Sequence, residues 1–388
     1  MIMPADGQRV RVEFAAGLQE IEGDLWRKCF PPPLEGRFWY QALEASGLED
    51  QFTFHYALIR SGDEAVGIVP CFTHNVPIAL VAPRAVALAA NFFSRFFPNA
   101  GHQRTFFVGS PCSEEGSIGL APGMSRAAVA AELRRAVRAE ARRLGAPMIV
   151  FKDFSEAGLV ALGGRRAEGG FFPMISYPGT RLALPAPDRN AYFKALSHAR
   201  RHNFLKKLRR SRAQLDLETR VVERPSREVL AEIHGLFRQT YEKGRTKFEK
   251  LGLRFFERIG DQPPARFILQ RDRANGELLA FMLVFHLGDR VINKFIGLDY
   301  RRAGGNYLYF RLFEAALDFA YACGARELQS GQTGYRAKLD LGHDLVPLFN
   351  LVRHENPLIN TLYRAIGASV TWKTLDPDLA TFLRAHPI

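Results

Sequence analysis

A glycine-rich turn, which follows an apolar strand and opens a helix, has the clearest chemical meaning in this sequence. It reads GLDYRRAGGN over residues 297–306. Glycines let the backbone approach a ligand closely, and the N–H groups at a helix start carry a partial positive charge. The pattern predicts a phosphate-binding turn, and the alternative is a glycine turn that only begins a helix. The predicted phosphate contacts are Arg301, Arg302, Gly304, Gly305 and Asn306.

A basic segment, HARRHNFLKKLRRSR at residues 198–212, is the second candidate. Between Arg200 and Arg212, seven of thirteen residues are Lys or Arg, and none is acidic. Phe204 and Leu208 have the spacing of an inward helix face, so the basic residues face outward. A run of one sign repels itself, and an anionic partner relieves that repulsion. We predict a face for phosphate or RNA, with a solvated helix face as the alternative; its residues are Arg200, Arg201, Lys206, Lys207, Arg209 and Arg210.

Two polar segments supply further candidates. QSGQTGYRAK, at residues 329–338, comes directly after a strand, where α/β proteins usually build binding sites. We predict that Gln332, Tyr335 and Lys338 contact a ligand there. QTYEKGRTK, at residues 239–247, ends a helix. Glu242 in that segment is placed to take a proton from an amine, and Arg245 is a further substrate contact; a frayed polar helix end is the alternative.

Other chemistries lack their sequence signals. The turn at residues 297–306 is neither a G-x-G-x-x-G dinucleotide fingerprint nor a Walker A loop. The sequence has no G-x-S-x-G nucleophile elbow. We predict no metal site and no tightly bound cofactor.

Size and charge limit the remaining classes. A chain of 388 residues exceeds what one hydrophobic core usually serves, so we expect two domains. Its formal net charge of +13 favours phosphates, nucleic acid, an acidic carrier protein or an anionic membrane face. The N-terminal residues lack a basic start followed by an apolar stretch, so we predict a cytoplasmic protein. Val76–Phe97 is apolar but contains Pro83 and Arg84, which predicts a buried loop and short helix rather than a membrane span; peripheral membrane contact is the alternative.

Strands and helices alternate around these candidates. In the first half we predict a hairpin over residues 54–74, a strand at 105–108, a helix at 125–144 and a strand at 148–152. The second half repeats the plan, with helices at 188–213, 226–243, 254–260 and 306–323, strands at 215–222, 265–271 and 326–330, and a hairpin at 278–298. Strand–helix–strand spacing implies parallel pairing. The predicted fold class is α/β with mixed sheets, in two domains, 1–175 and 176–388.

The sequence resembles the GNAT superfamily, and more closely its FemAB-like branch, whose members carry two GNAT-type domains in tandem. The spacing of Arg301 to Gly304 fits the Q/R-x-x-G-x-G/A turn of GNAT proteins, and Asn306 replaces the last small residue. Residues 306–338 are similar to FemAB-like proteins labelled as peptidoglycan biosynthesis or recognition proteins, with Gln329 where those have an acid. The runs FVGSP at 107–111 and FKD at 151–153 resemble that branch's first domain.

The resemblance implies acyl transfer to an amine without a covalent enzyme intermediate. Backbone N–H groups near Phe295–Leu298 would stabilise the oxyanion, and the turn residues named above would hold the donor's phosphates. Glu242 or Asp299 would act as base, and Tyr335 or Tyr307 as acid. The N-terminal domain would be a degenerate copy.

Three functions follow as hypotheses. The first is an N-acyltransferase that uses acyl-CoA or an acyl-carrier protein thioester. The second is a FemAB-like transferase that uses aminoacyl-tRNA, with RNA on the basic face. The third is a non-catalytic binding protein. In the first two, the acceptor is a small-molecule or peptide amine.

Overall fold

The computed structural model describes residues 10–77, 102–164, 168–185, 187–244, 249–302 and 307–385. The chain divides into two units, each with one mixed sheet, so the predicted α/β class is confirmed. The first unit is drawn from Met1–Pro31, Leu48–Pro178 and Pro347–Ile388. The second is drawn from Pro32–Gly47 and Gly179–Val346.

The elements are numbered in chain order. The strands are β1 (Val10–Ala15), β2 (Phe52–Ser61), β3 (Glu64–Pro77), β4 (His102–Val108), β5 (Gly119–Leu120), β6 (Met148–Phe154), β7 (Phe172–Ile175), β8 (Gly179–Ala183), β9 (Leu217–Val222), β10 (Ala265–Asp272), β11 (Leu278–Leu287), β12 (Arg290–Leu298), β13 (Glu327–Gln329), β14 (Asp344–Val346) and β15 (Phe349–His354). The α-helices are α1 (Gly23–Cys29), α2 (Arg37–Glu44), α3 (Arg126–Arg143), α4 (Glu156–Ala161), α5 (Arg189–Ala195), α6 (His198–Gln214), α7 (Arg227–Lys243), α8 (Leu253–Gly260), α9 (Leu308–Ala322), α10 (Tyr335–Asp340), α11 (Pro357–Ser369), α12 (Trp372–Leu375) and α13 (Pro377–Ala385).

The sheet of the first unit has the strand order β1-β2-β3-β4-β6-β15-β7, with β5 paired to β3. Its pairs are antiparallel except β4 and β6, which run parallel from Thr105–Met148 to Val108–Phe151. α3 connects these two strands and buries Val129, Leu133 and Val137 in the core. This strand–helix–strand unit confirms the parallel pairing predicted from its spacing.

The sheet of the second unit has the order β14-β8-β13-β12-β11-β10-β9. Only β12 and β13 are parallel among its pairs, and α9 connects them. Phe313 of α9 packs with Phe204 of α6 over one face of the sheet. Both sheets share one strand arrangement, apart from β5, which lies off the main path of the first. Four neighbouring strands are antiparallel, the fifth is parallel to the fourth and is reached through a helix, and the last two are antiparallel again. The second half repeats the plan of the first, as predicted.

Two segments of the chain belong to the other unit than the contiguous domains predicted. The predicted boundary between residues 175 and 176 lies close to the change of unit at Pro178–Gly179, but α2 belongs to the second unit and β15 to the first sheet. Trp39 of α2 is fully buried and packs edge-on against Phe255 and Phe285, with ring centroids 5.9 and 5.6 Å away. Contacts between residues so distant in the chain leave no local sequence signal.

Most local elements match their predictions. The helices predicted at 125–144 and 226–243 are confirmed as α3 and α7, and the hairpin at 278–298 is confirmed as β11 and β12. The helix predicted at 188–213 is wrong in one respect, because it breaks at Leu196, whose backbone is extended. Ser197 then caps α6 by accepting the N–H of Arg200. The predicted loop at 329–338 ends in a short helix, α10.

The sequence also raised the question of a membrane span. Across the described ranges, no helix has the length and apolar character needed to cross a membrane. Of the apolar segment Val76–Phe97, all but the first two residues lie outside the described residues.

Candidate functional site

The parallel strands at the centre of the second sheet separate soon after they meet. β12 and β13 pair at three positions, from Arg290–Glu327 to Ile292–Gln329, where β13 ends. β12 continues and stays paired with β11 as far as Leu298, opposite Ala280. Binding sites in α/β proteins form at the carboxyl ends of parallel strands. We call the region bounded by residues 293–298 and 330–334 the strand wedge.

A bulge in β12 lies where the wedge begins. The register passes from Asn293–Val284 to Phe295–Leu283, which leaves Lys294 as the extra residue. A bulge re-aims side chains, and here Lys294 and Phe295 share one face of the sheet. The Nζ atom of Lys294 lies 4.5 Å from the centre of the Trp39 ring, and Trp39 and Phe295 both pack against Phe255. Asn293 lies on the opposite face, the face that α9 covers.

Beyond the last backbone pair of β12 and β13, a buried chain of side-chain hydrogen bonds links the two segments. Asn293 Nδ2 donates to Ser330 Oγ at 3.0 Å, and Ser330 Oγ lies 2.9 Å from His343 Nε2. His343 Nδ1 lies 3.0 Å from the carbonyl oxygen of Lys338. All three side chains are more than nine-tenths buried. Burial, together with the charge of Lys338, lowers the pKa of His343 to about 3, so its imidazole is neutral at pH 7.

The loop after β13 is fixed by buried donors. The carbonyl oxygen of Gly331 accepts from Thr180 Oγ1 at 2.8 Å and from Lys338 Nζ at 3.1 Å. The predicted ligand contact Lys338 is therefore buried and bonded to its own loop, and it also reaches the carbonyl of Gln332 at 3.4 Å. Gln332 Nε2 is buried and has no hydrogen-bond partner within the described part of the chain. These bonds hold the loop that forms one side of the strand wedge.

The two arginines of the predicted phosphate turn are paired with carboxylates. Arg301 donates to Asp299 and to Glu277, with Nη2–oxygen distances of 2.6 and 2.8 Å. Arg302 donates to Asp272 at 2.9 Å and lies 3.3 Å from Glu277. The hydrogen bonds from Arg301 lower the pKa of the buried Asp299, so this predicted base is a carboxylate of weak basicity. The predicted contacts Gly304, Gly305 and Asn306 lie outside the described residues.

The end of α7 contacts the start of this turn. Thr240 Oγ1 accepts the backbone N–H of Leu298 at 3.2 Å, and Gln239 Oε1 accepts that of Tyr300 at 3.3 Å. Two segments that the sequence marked separately therefore meet at the outer end of the strand wedge. Gly297 is where α7 comes closest, because a Cβ there would lie 2.7 Å from the backbone carbon of Leu236.

Three more predicted residues, Glu242, Tyr335 and Tyr307, have different surroundings. Glu242 is exposed and lies 3.6 Å from Arg238 on the surface of α7. Tyr335 is fully buried at the start of α10. Tyr307 has a left-handed backbone, with φ of 53°, directly before α9, and packs edge-on against Phe310. Arg245 lies outside the described residues. The geometry therefore leaves the roles of these residues as predictions.

The basic face of α6 is divided between paired and exposed residues. Lys207 lies 3.5 Å from Asp340 and 4.0 Å from the centre of the Phe310 ring. Lys206, Arg209 and Arg210 are exposed and have no carboxylate within ion-pair distance among the described residues. Arg200 and Arg201 are half-buried on the same helix. The exposed group forms a compact positive surface over little more than one helical turn.

One pair on α6 has the spacing of metal ligands. His198 and His202 lie four residues apart and stack with ring centroids 6.2 Å apart, a spacing that two zinc ligands on a helix also have. Over the ranges that the structure describes, no three His, Cys, Asp or Glu side chains gather into a metal-binding group. Within those ranges the pair therefore lacks the further ligands that a zinc site requires.

Asn293, Ser330 and His343 were not among the predicted site residues. No motif spacing links them, and their contacts depend on the strand pairing. The sequence did contain two signals: the pair Asn293-Lys294 inside an otherwise apolar strand, VINKFIGL, and the place of Ser330 in the polar segment 329–338.

No protein-family description and no curated protein sequence matches the chain. Among solved structures, FemX aligns with a TM-score of 0.56 at 11% identity, over 90% of this chain and 100% of FemX. A conserved protein of unknown function from Bacteroides thetaiotaomicron VPI-5482 aligns with a TM-score of 0.51 at 11% identity, over 88% of this chain and 99% of that one. A tandem GNAT protein from the clavulanic acid biosynthesis pathway aligns at 0.46 and 15% identity, over 89% and 99%.

The chain therefore has the same fold as FemX, with two units that each carry a mixed sheet, and this agrees with the FemAB-like resemblance of the sequence. At this identity the likeness concerns the fold alone.

Proposed function

We propose that this chain is an acyltransferase that joins an acyl group to an amine in the strand wedge of its second unit. The observation that carries the proposal is the parting of β12 and β13 beside a bulge, in a chain with the fold of FemX. Beyond its last pair with β13, the backbone of β12 offers hydrogen-bonding groups to an extended donor arm. The acceptor is a small-molecule or peptide amine.

The reaction requires a neutral amine near the acyl carbon. As the N–C bond forms, the acyl oxygen becomes an oxyanion, and the backbone N–H of Ile296 is the candidate to stabilise it. Backbone N–H groups alternate in direction along a strand, and that of Asp299 is bonded to Leu279. Those of Phe295 and Gly297 therefore also point to β11, whereas that of Leu298 is bonded to Thr240. The intermediate then expels the donor's leaving group, which takes up a proton as the amine loses one.

The donor proposed first is a thioester, either acyl-CoA or an acyl-carrier protein. Arg301 and Arg302 belong to the predicted phosphate turn, and both are shared among Asp272, Glu277 and Asp299. Phosphate binding therefore requires the guanidinium groups to exchange a carboxylate for the ligand. This competition predicts a donor affinity that is modest and sensitive to salt.

The test is a thermal-shift titration with CoA on the wild-type chain and on the double variant Arg301→Ala/Arg302→Ala. We expect CoA to raise the Tm of the wild type and to have no effect on the variant. The matched control is Arg220→Ala, which removes an exposed arginine paired with Glu218 and should respond like the wild type. If CoA shifts the wild type and the double variant equally, the arginines do not hold the donor.

Aminoacyl-tRNA is the second candidate donor, and the exposed positive surface of α6 favours it. Lys206, Arg209 and Arg210 are available to RNA phosphates without breaking an ion pair in the described part of the chain. If neither CoA nor tRNA binds, the remaining hypothesis is a non-catalytic binding protein on the same fold.

A further inference from the structure

Two buried side chains at the start of the strand wedge present hydrogen-bond acceptors that are unused within the described residues. We propose that Asn293 and Ser330 form a site for the N–H groups of a primary amine in its uncharged form. They are the first residues beyond the last paired position of β12 and β13, Ile292–Gln329. The identity of the amine rests on the proposed function: it is either the acceptor amine or the amino group of an aminoacyl donor.

His343 fixes the direction of the hydrogen bonds. Its Nδ1 faces the carbonyl oxygen of Lys338 at 3.0 Å, and a carbonyl can only accept, so the ring proton lies on Nδ1. Nε2 then carries a lone pair and accepts the hydroxyl proton of Ser330 at 2.9 Å. Because the imidazole is neutral, it cannot turn this bond around by donating from Nε2. Ser330 therefore donates its hydroxyl proton to His343 and has no proton left to donate to a ligand.

Ser330 and Asn293 are left with unused acceptors. Ser330 Oγ accepts from Asn293 Nδ2 at 3.0 Å with one lone pair and keeps the other. Asn293 Oδ1 is buried and has no hydrogen-bond partner within the described residues. A buried acceptor without a partner is unfavourable, and a ligand that donates to it removes that cost. Two adjacent acceptors suit a group with two N–H bonds, which a primary amine has.

The charge nearby selects the uncharged amine. The charged group that faces His343 is the buried Lys338, whose Nζ is bonded to the carbonyl oxygens of Gly331 and Gln332. Phe313 of α9 supplies the other contact, at 5.6 Å between ring centroids. A second ammonium beside Lys338 would be repelled in a region with little water. The site therefore favours the neutral amine, which is the form that attacks an acyl carbon.

The probe is 2,2,2-trifluoroethylamine, a primary amine that is mainly uncharged at pH 7.5, followed by fluorine NMR on the full chain. We expect saturable binding, and weaker binding of 2,2,2-trifluoroethanol, which has the same shape but one donor. Asn293→Leu should weaken amine binding by about tenfold, because it removes the unpartnered acceptor and a Ser330 contact. Ser330→Ala should weaken it similarly.

The thermal stability of the variants distinguishes a binding role of Asn293 from a purely structural role. Asn293→Leu removes a buried unsatisfied oxygen and also the Nδ2 bond to Ser330, and these two changes oppose each other, so we expect a Tm close to that of the wild type while amine binding falls. A variant with lowered Tm and unchanged amine affinity would overturn the proposal. Equal affinities for the amine and the alcohol would overturn it as well.

Two competitors distinguish the sources of the amine. If the site holds the acceptor amine, saturating acetyl-CoA leaves trifluoroethylamine bound. If it holds the amino group of an aminoacyl donor, a stable 3′-alanylamido analogue of adenosine displaces the probe. Amine binding that persists when neither acetyl-CoA nor tRNA binds would support the amine site and count against the proposed function.

Discussion

Lys294 and Glu35 form an ion pair inside the second unit, although they lie 259 positions apart in the chain. The Lys294 side chain is fully buried and that of Glu35 nearly so. The ammonium also lies 4.5 Å from the centre of the Trp39 ring, which adds a cation–π contact. The pair joins the segment that carries α2 to the bulge of β12, so it supports the shape of the strand wedge.

Removing one partner of this pair should be costly. Lys294→Met leaves the Glu35 carboxylate buried without its cation, and we expect the free energy of unfolding to fall by about 3–5 kcal/mol. The double variant Lys294→Met/Glu35→Leu should recover most of that loss. Denaturant unfolding measures both, and Arg220→Ala at the exposed Glu218 pair is the control, with a loss below about 1 kcal/mol. Equal stability of the single and double variants would contradict the ion-pair argument.

The close approach of α7 to β12 gives a second prediction. In Gly297→Ala the new Cβ would lie 2.4 Å from Phe281 Cε1 and 2.7 Å from the Leu236 backbone, so α7 must move. We expect a loss of about 1–3 kcal/mol in stability and weaker donor binding. Gly235→Ala on the exposed face of α7 meets nothing within 4 Å and should stabilise by about 0.5–1 kcal/mol. If the two variants behave alike, the helix does not pack as tightly as described.

His343 should make the protein sensitive to acid. Its pKa is about 3 when folded and ordinarily 6.5, so below pH 6.5 the unfolded chain binds a proton that the folded chain refuses. Folded stability from this group is therefore present above pH 6.5 and is lost as the pH falls, by about 1.4 kcal/mol per unit. The variant His343→Gln should show a shallower decline between pH 6 and 4 in denaturant unfolding. Since all other histidines are common to both proteins, an identical slope would mean that His343 is not buried as neutral imidazole.

The exposed surface of α6 gives a prediction about RNA. If aminoacyl-tRNA is the donor, tRNA affinity should fall steeply with salt, and Lys206→Glu/Arg210→Glu should reduce both the affinity and the slope. A filter-binding titration at several salt concentrations measures both quantities. The control reverses two charges in the first unit, Arg27→Glu/Arg135→Glu, both exposed. Parallel losses in the two double variants would indicate attraction by net charge alone.

Local signals in the sequence were sufficient for much of the fold. Alternating apolar residues predicted β11 and β12, and Ser226 correctly marked the start of α7, since it accepts the N–H of Val229. The interruption at Leu196 was missed, although Ser197, which caps α6, is a local signal of the same kind as Ser226.

The site was less accessible to sequence reasoning. The turn arginines and the end of α7 were identified as separate segments, but their contacts through Thr240 and Gln239 depend on how α7 crosses β12. Asn293, Ser330 and His343 meet only because β12 and β13 are neighbours. Hydrogen bonds between residues 13 and 37 positions apart leave no periodicity to detect.

The exchange of α2 and β15 between the two halves has a consequence for synthesis on the ribosome. α2 is translated long before Phe255 and Phe285, which pack against its Trp39. The Trp39 ring therefore lacks these contacts until both phenylalanines have been synthesised. The first sheet in turn lacks its sixth strand until translation has passed the whole second unit. The two halves therefore mature together near the end of translation, and neither should persist as a free-standing fragment when the gene is cut at codon 178.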